Sequence, residues 1–154
     1  MPGRIHDPVH KTISLSDVEE DIIASRTFQR LRNVKQLGLA DFVFPGAGYS
    51  RLSHCVGVCH VTGRILSALA DNAGLKLEVA KIQAYRLAAL LHDIGHYPFS
   101  HAMEEAIQDH AAKPLLENHG IAIKTLNHES VGKRIPSFKL VLDTIPWCRV
   151  ALDG

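Results

Sequence analysis

Leu90-Leu91-His92-Asp93-Ile94-Gly95-His96-Tyr97-Pro98-Phe99-Ser100-His101 places three histidines and an aspartate within ten residues, directly after an apolar helical run. Imidazole and carboxylate together suit first-row metals such as Zn, Fe or Mn. The run before it, Glu78 to His92, is the strongest helical pattern in the chain. Val79, Ile82, Leu87, Leu90 and Leu91 supply its apolar face, and Gly95 and Pro98 end it. The quoted stretch therefore marks a helix end that presents metal-type donors.

The segment on the C-terminal side predicts a helix over about Ser100 to His110, with Ser100 as cap. A loop across Pro114 from Ala111 to Gly120 should follow, then a short helix from Asn127 to Arg134. On the N-terminal side, Leu52 or Ser53 to about Asn72 reads as a long helix. Val56, Cys59, Gly63 and Leu66 form its buried stripe, and Asn72 and Gly74 its stop signal. Before it, Lys35 to Tyr49 is a connection broken by Gly38, Pro45, Gly46 and Gly48, and its aromatics Phe42 and Phe44 suggest that it is packed. Thr27 to Val34 predicts a helix with Phe28, Leu31 and Val34 on one face. Ser16-Asp17-Val18-Glu19 has the form of a capping box opening a helix through about Ala24. Arg4 to Leu15 alternates around Pro8 and reads as an extended arm or short hairpin.

The 154 residues fit one domain able to bury a single core, and 46% hydrophobic against 21% charged residues excludes a disordered chain. A net charge of +1 provides no electrostatic case for nucleic acid or membrane binding, and no run is long enough for a membrane span. Cys55, Cys59 and Cys148 do not form a disulfide framework. Buried thiols in a cytoplasmic protein are the expectation. Among the ten histidines, His6, His10, His60, His110 and His119 read as ordinary solvated or core residues.

On a helix, His92 and Asp93 point about 100° apart, yet near its last turn both can reach one ion. Packing of the two long helices would bring in His54 as a third ligand. An octahedral ion would still need another protein donor, with water filling the rest.

The ordered motifs Gln29-Arg30-Leu31-Arg32, Lys35-Gln36-Leu37-Gly38, Val43-Phe44-Pro45-Gly46-Ala47 and Arg51-x-x-His54-x-x-Gly57-Val58 precede the opening stretch, and His128-Glu129-Ser130 follows it. Together they resemble HD-domain deoxynucleoside triphosphate triphosphohydrolases, closest to the sterile-alpha-motif/HD-domain type and its bacterial relatives. The likeness covers roughly residues 4 to 66 and 86 to 104, with a weaker echo at 127 to 131.

The resemblance implies an all-α HD-domain helical bundle with the short N-terminal arm or hairpin, as a single domain over residues 1–154 lacking its C-terminal helices. It implies one divalent ion (Fe, Mn, Zn or Mg) on His54, His92, Asp93 and a later aspartate. It implies cleavage of a deoxynucleoside triphosphate at the α-phosphorus, releasing deoxynucleoside and triphosphate. By matching position, Arg51 would contact phosphate, and Gln36 and Leu37 the sugar and base. His96 and His101 would lie along the phosphates, with Glu104 and His128 an acid/histidine pair near the attacking or leaving oxygen. Asp7, Gln29 and Arg32 would fall where animal relatives bind an activating nucleotide between subunits, which requires a homo-oligomer.

The chain departs from the family's pattern in four places. Asp143 and Asp153, the available later aspartates, sit in no matching motif. Leu52 and Ser53 stand where an aromatic and an acidic residue are usual, Tyr97 where a small one is common, and the tail after Arg134 has no counterpart. Two alternatives therefore stay open: hydrolysis of another nucleotide or phosphate ester, and a catalytically silent module that binds nucleotide, nucleic acid or a partner.

Overall fold

Two short strands, β1 (Arg4–Asp7) and β2 (Lys11–Ser14), pair antiparallel with Ile5 opposite Ile13, so the expected hairpin forms. Its turn is closed by Asp7, whose Oδ1 accepts from the backbone N–H groups of Val9 at 2.9 Å and His10 at 2.8 Å. The computed structural model describes residues 3–109, 112–118 and 127–135. Within these residues the remaining architecture is all-α.

Helix α1 (Asp17–Ala24) starts in the expected capping box: Ser16 Oγ accepts from the Glu19 N–H, and Glu19 Oε2 accepts from the Ser16 N–H. The next helix begins one residue earlier than its pattern suggests, as α2 (Arg26–Gln29), capped by Ser25, and then tightens into a 3-10 turn over Arg30–Asn33. Phe28, Leu31 and Val34 are buried as expected. The connection that follows contains two further 3-10 turns, Ala40–Phe42 and Pro45–Ala47. Its aromatics are not packed: Phe42 is 81% and Phe44 66% exposed, which corrects the expectation.

Helix α3 (Arg51–Ala73) is closed by Gly74 in the left-handed conformation at φ 62°, and α4 (Val79–Leu91) forms the principal helix–helix packing with it. Leu52, Cys55, Val56 and Cys59 of α3 meet Leu87, Leu90 and Leu91 of α4 in the core, joined by Ile13, Phe28, Leu31 and Ile94. Val79, expected on that face, is instead exposed at the free start of α4. Gly63 and Leu66 are only half-buried.

Helix α5 (His101–Gln108) follows a turn in which Phe99 and Ser100 both have positive φ, 67° and 53°. Ser100 sits at the cap position but makes no capping bond. The stretch expected to be a loop around Pro114 contains a helix, α6 (Ala112–Asn118). Pro114 is its third residue, and in a first turn proline removes no helical hydrogen bond. Finally α7 (His128–Lys133) is capped by the Asn127 side chain, which accepts from the Ser130 N–H at 2.7 Å. His110, His119, Asp143, Cys148 and Asp153 lie outside the described residues, as does the tail after Ile135. No helix among the described residues is long and apolar enough to cross a membrane.

Candidate metal centre and adjoining histidine cluster

The start of α3 and the end of α4 create the first cluster. Ser50 caps α3 by accepting from the Ser53 N–H, which sets His54 one turn inside the helix. Leu90 and Leu91, both fully buried, anchor the end of α4 and leave His92 and Asp93 at its mouth. The His92 ring is oriented by its own helix: Nδ1 lies 2.7 Å from the Ala89 carbonyl oxygen. A carbonyl only accepts, so Nδ1 carries a proton, and in the neutral ring Nε2 is the nitrogen with a lone pair to offer.

Asp93 Oδ1 is 3.3 Å from His92 Nε2, and its Oδ2 is 3.8 Å from His54 Nε2. One donor atom from each of the three residues lies within 4.8 Å of the others. Metal–ligand bonds of about 2.1 Å place adjacent donors about 3 Å apart and opposite ones about 4.2 Å apart. The three side chains need close only slightly to hold a divalent ion. Their protonation also fits. Burial and the neighbouring His92 hold the His54 imidazole below its ordinary pKa despite Asp93, keeping it neutral. Burial alone would raise the Asp93 carboxyl, but His96, His92 and Arg51 outweigh it and keep the group ionised.

Arg51 is 2% exposed and turns inward. It donates through Nη1 to Asp93 Oδ2, through Nε to Ser100 Oγ at 3.1 Å, and through Nη2 to the Gln36 carbonyl at 3.4 Å. In this arrangement the fork faces the carboxylate of the first cluster. Ser100 completes the link, since its hydroxyl donates onward to the Lys35 carbonyl at 3.1 Å. That role was missed in the sequence, where a serine before a helix reads as a cap. Gln36 is half-buried, its Oε1 without a hydrogen-bond partner among the described residues, and Leu37 beside it is 50% exposed.

A second cluster adjoins the first where His96 Nε2 lies 3.4 Å from Asp93 Oδ1. It unites His96, His101, Glu104 and His128. Glu104 bridges two rings: Oε2 is 3.0 Å from His101 Nδ1, and Oε1 is 2.7 Å from both His128 Nδ1 and the His128 N–H. Burial pushes the Glu104 carboxyl up, but the His128 N–H and the two imidazoles outweigh it and hold the group below its ordinary value. An ionised carboxylate only accepts, so both Nδ1 atoms carry protons, and in the neutral rings the Nε2 atoms are the ones that accept. His96 is nearly fully buried, and burial lowers its pKa despite Asp93. The arrangement offers three donors for a cation beside two oriented imidazole bases.

The remaining expected residues belong to neither cluster. Asp7 is committed to the hairpin turn. Gln29 Oε1 accepts from Arg32 Nε at 3.3 Å and Nη2 at 3.1 Å, while Gln29 Nε2 donates to the Ile23 carbonyl. A groove of about 470 Å³ opens beside His54, lined by Asp7, Val9, Tyr49, Ser53, Val58 and Ile65 among others.

Residues 51–149 match the family described as HD domain. The chain is 36% identical over 124 residues to the deoxynucleoside triphosphate triphosphohydrolase SAMHD1 homolog of Dictyostelium discoideum, covering 80% of this chain and 24% of that protein. It is 39% identical over 142 residues to an uncharacterized protein of Methanocaldococcus jannaschii, covering 86% and 30%. To the deoxynucleoside triphosphate triphosphohydrolase SAMHD1 of Homo sapiens it is 40% identical over 101 residues, covering 65% and 16%. The chain thus spans less than a third of the length of each of these relatives.

Proposed function

The chain belongs to the HD domain family, and on that premise we propose that it is a metal-dependent phosphohydrolase acting on deoxynucleoside triphosphates, releasing deoxynucleoside and triphosphate. The observation that carries the reading is the junction of the two clusters at Asp93 and His96: metal-type donors on one side, tautomer-fixed imidazoles on the other. The triphosphate substrate is favoured by the two relatives named as deoxynucleoside triphosphate triphosphohydrolases.

In this proposal His54, His92 and Asp93 hold the ion. When bound, a divalent cation supplies Lewis-acid polarisation of a phosphoryl oxygen and lowers the pKa of a nearby water. The chain's own residues do the rest. Arg51 orients Asp93 and, with Ser100, fixes the entrance of α3 against the strained turn before α5. His101 and His128 present Nε2 atoms that take a proton from an attacking water. Either, once protonated, gives it to the departing 5′ oxygen. Glu104 keeps both rings in that tautomer and stabilises the charge a proton would bring. His96, neutral and enclosed, separates the cation from the bases. Gln36 and Leu37 face the sugar and base.

Elemental analysis of the purified chain, followed by incubation with dGTP under Mn or Fe supplementation, tests this. Bound divalent metal and release of tripolyphosphate are expected, and His92→Ala should lose both. Metal with hydrolysis only of a nucleoside monophosphate would move the substrate to another phosphate ester. Neither metal nor hydrolysis would leave the silent binding module.

A further inference from the structure

Arg30, in the 3-10 turn after α2, reaches 66 residues along the chain to donate through Nη1 to the His96 carbonyl oxygen at 2.7 Å, and through Nη2 to the Ile94 carbonyl oxygen. We propose that Arg30 is a positioning residue: it fixes the backbone from Ile94 to His96, and through it the seat of the His96 ring between Asp93 and His128.

Three observations support this. Where α4 stops at Leu91, the carbonyls that follow lack helical partners, and a cation at a helix C-terminus is favourable. A planar guanidinium satisfies two acceptors two residues apart in fixed geometry, which a single ammonium does not. Second, the residue between the two acceptors is clamped from another side. A Cβ on Gly95 would collide with the His128 carbonyl oxygen and approach the Gly132 nitrogen to 2.5 Å, so α7 rests directly on this backbone. Third, the ring carried by the turn has no slack. His96 is 1% exposed, stacked on His128 at 3.9 Å, with Nε2 3.4 Å from Asp93. A shift of the Ile94–His96 backbone is therefore passed to the ring contact that joins the two clusters.

The test is Arg30→Lys in the whole chain, with Arg30→Ala beside it. Arg30→Lys should keep the helical circular dichroism and the bound metal, hold KM within about 3-fold, and lower kcat by about 10- to 100-fold, the scale of a 1 Å misplacement. In NMR the ring-current-shifted protons of His128 should move toward free-imidazole positions while those of His10 and His60 stay in place. The kinetic arm rests on the proposed hydrolase reading, and the NMR arm does not. If the wild type hydrolyses nothing but His128 moves in Arg30→Lys, that reading fails and the positioning role stands. An unmoved His128, or unchanged kcat in an active wild type, overturns the proposal. So does global unfolding of Arg30→Lys, or His10 and His60 shifting along with His128, since either shows general support of the fold. Should Arg30→Ala alone unfold, Arg30→Lys carries the decision.

Discussion

The imidazoles of His96 and His128 lie stacked, 3.9 Å between centroids and 10° from parallel, although one belongs to the turn after α4 and the other to α7. The contact is permitted by Gly95, where a Cβ would collide with the His128 carbonyl oxygen. Gly95→Ala should therefore lift α7 from the turn. The expected cost is about 1–3 kcal/mol of stability, the range for overpacking, read from urea unfolding. Hydrolysis should fall further than metal content, because the donors of the first cluster do not lie on α7. Equal loss of both would show that the turn itself had collapsed.

Glu104 holds two histidines in one tautomer with a single carboxylate. In Glu104→Gln the amide oxygen can accept from only one of the two Nδ1–H groups, while its NH₂ faces the other. One ring must then move its proton to Nε2 and cease to act as a base. We expect kcat to drop by about 10²-fold, the scale of a lost general base, with the metal retained. A variant with wild-type kcat would remove Glu104 and its two rings from the proton pathway.

His54 is kept neutral by burial and by the neighbouring His92, so its pKa lies below the ordinary 6.5. Metal binding requires the neutral ring, and acid competes with the ion only by protonating it. Lowering the pH through 6.5 should therefore leave the His54 bond to the metal intact, with loss only at more acid values. Dialysis at stepped pH followed by elemental analysis reads this directly. Equal metal retention by wild type and His54→Ala at every pH would mean that His54 is not a ligand.

The features legible in the sequence are those written in neighbouring residues. Ser16 and Glu19 form their box, Gly74 stops α3, and Asn127 starts α7, because caps depend on residues within one turn. His54, His92 and Asp93 come together because the apolar stripes of α3 and α4 can be read and then packed. Burial in the 35–49 connection was not legible: Phe42 and Phe44 have the composition of core residues, but no packed element covers them. The inward turn of Arg51 and the diversion of Ser100 from its cap depend on a contact between residues 49 apart and on two consecutive positive φ angles. Neither leaves a local signal.

The same long-range logic governs stability at Glu19, whose carboxylate is 1% exposed and takes Arg86 Nε at 2.7 Å and Nη2 at 2.9 Å from α4. Burial raises this carboxyl, but Arg86 and the Ser16 N–H outweigh it, so its folded pKa lies below the ordinary 4.5. A lowered folded pKa means that the stabilisation is fully present above the ordinary value and is lost as pH falls toward the folded one. Arg86→Ala leaves the carboxylate buried without its partner, and should cost about 3–5 kcal/mol near neutrality. The stranded group then binds a proton more readily than the free chain does, which offsets part of the loss in acid. The gap between wild type and Arg86→Ala in urea unfolding should therefore narrow as pH drops through 4.5. A gap that stays constant across that range would show that the loss comes from the packing of the arginine stem, and not from the ion pair.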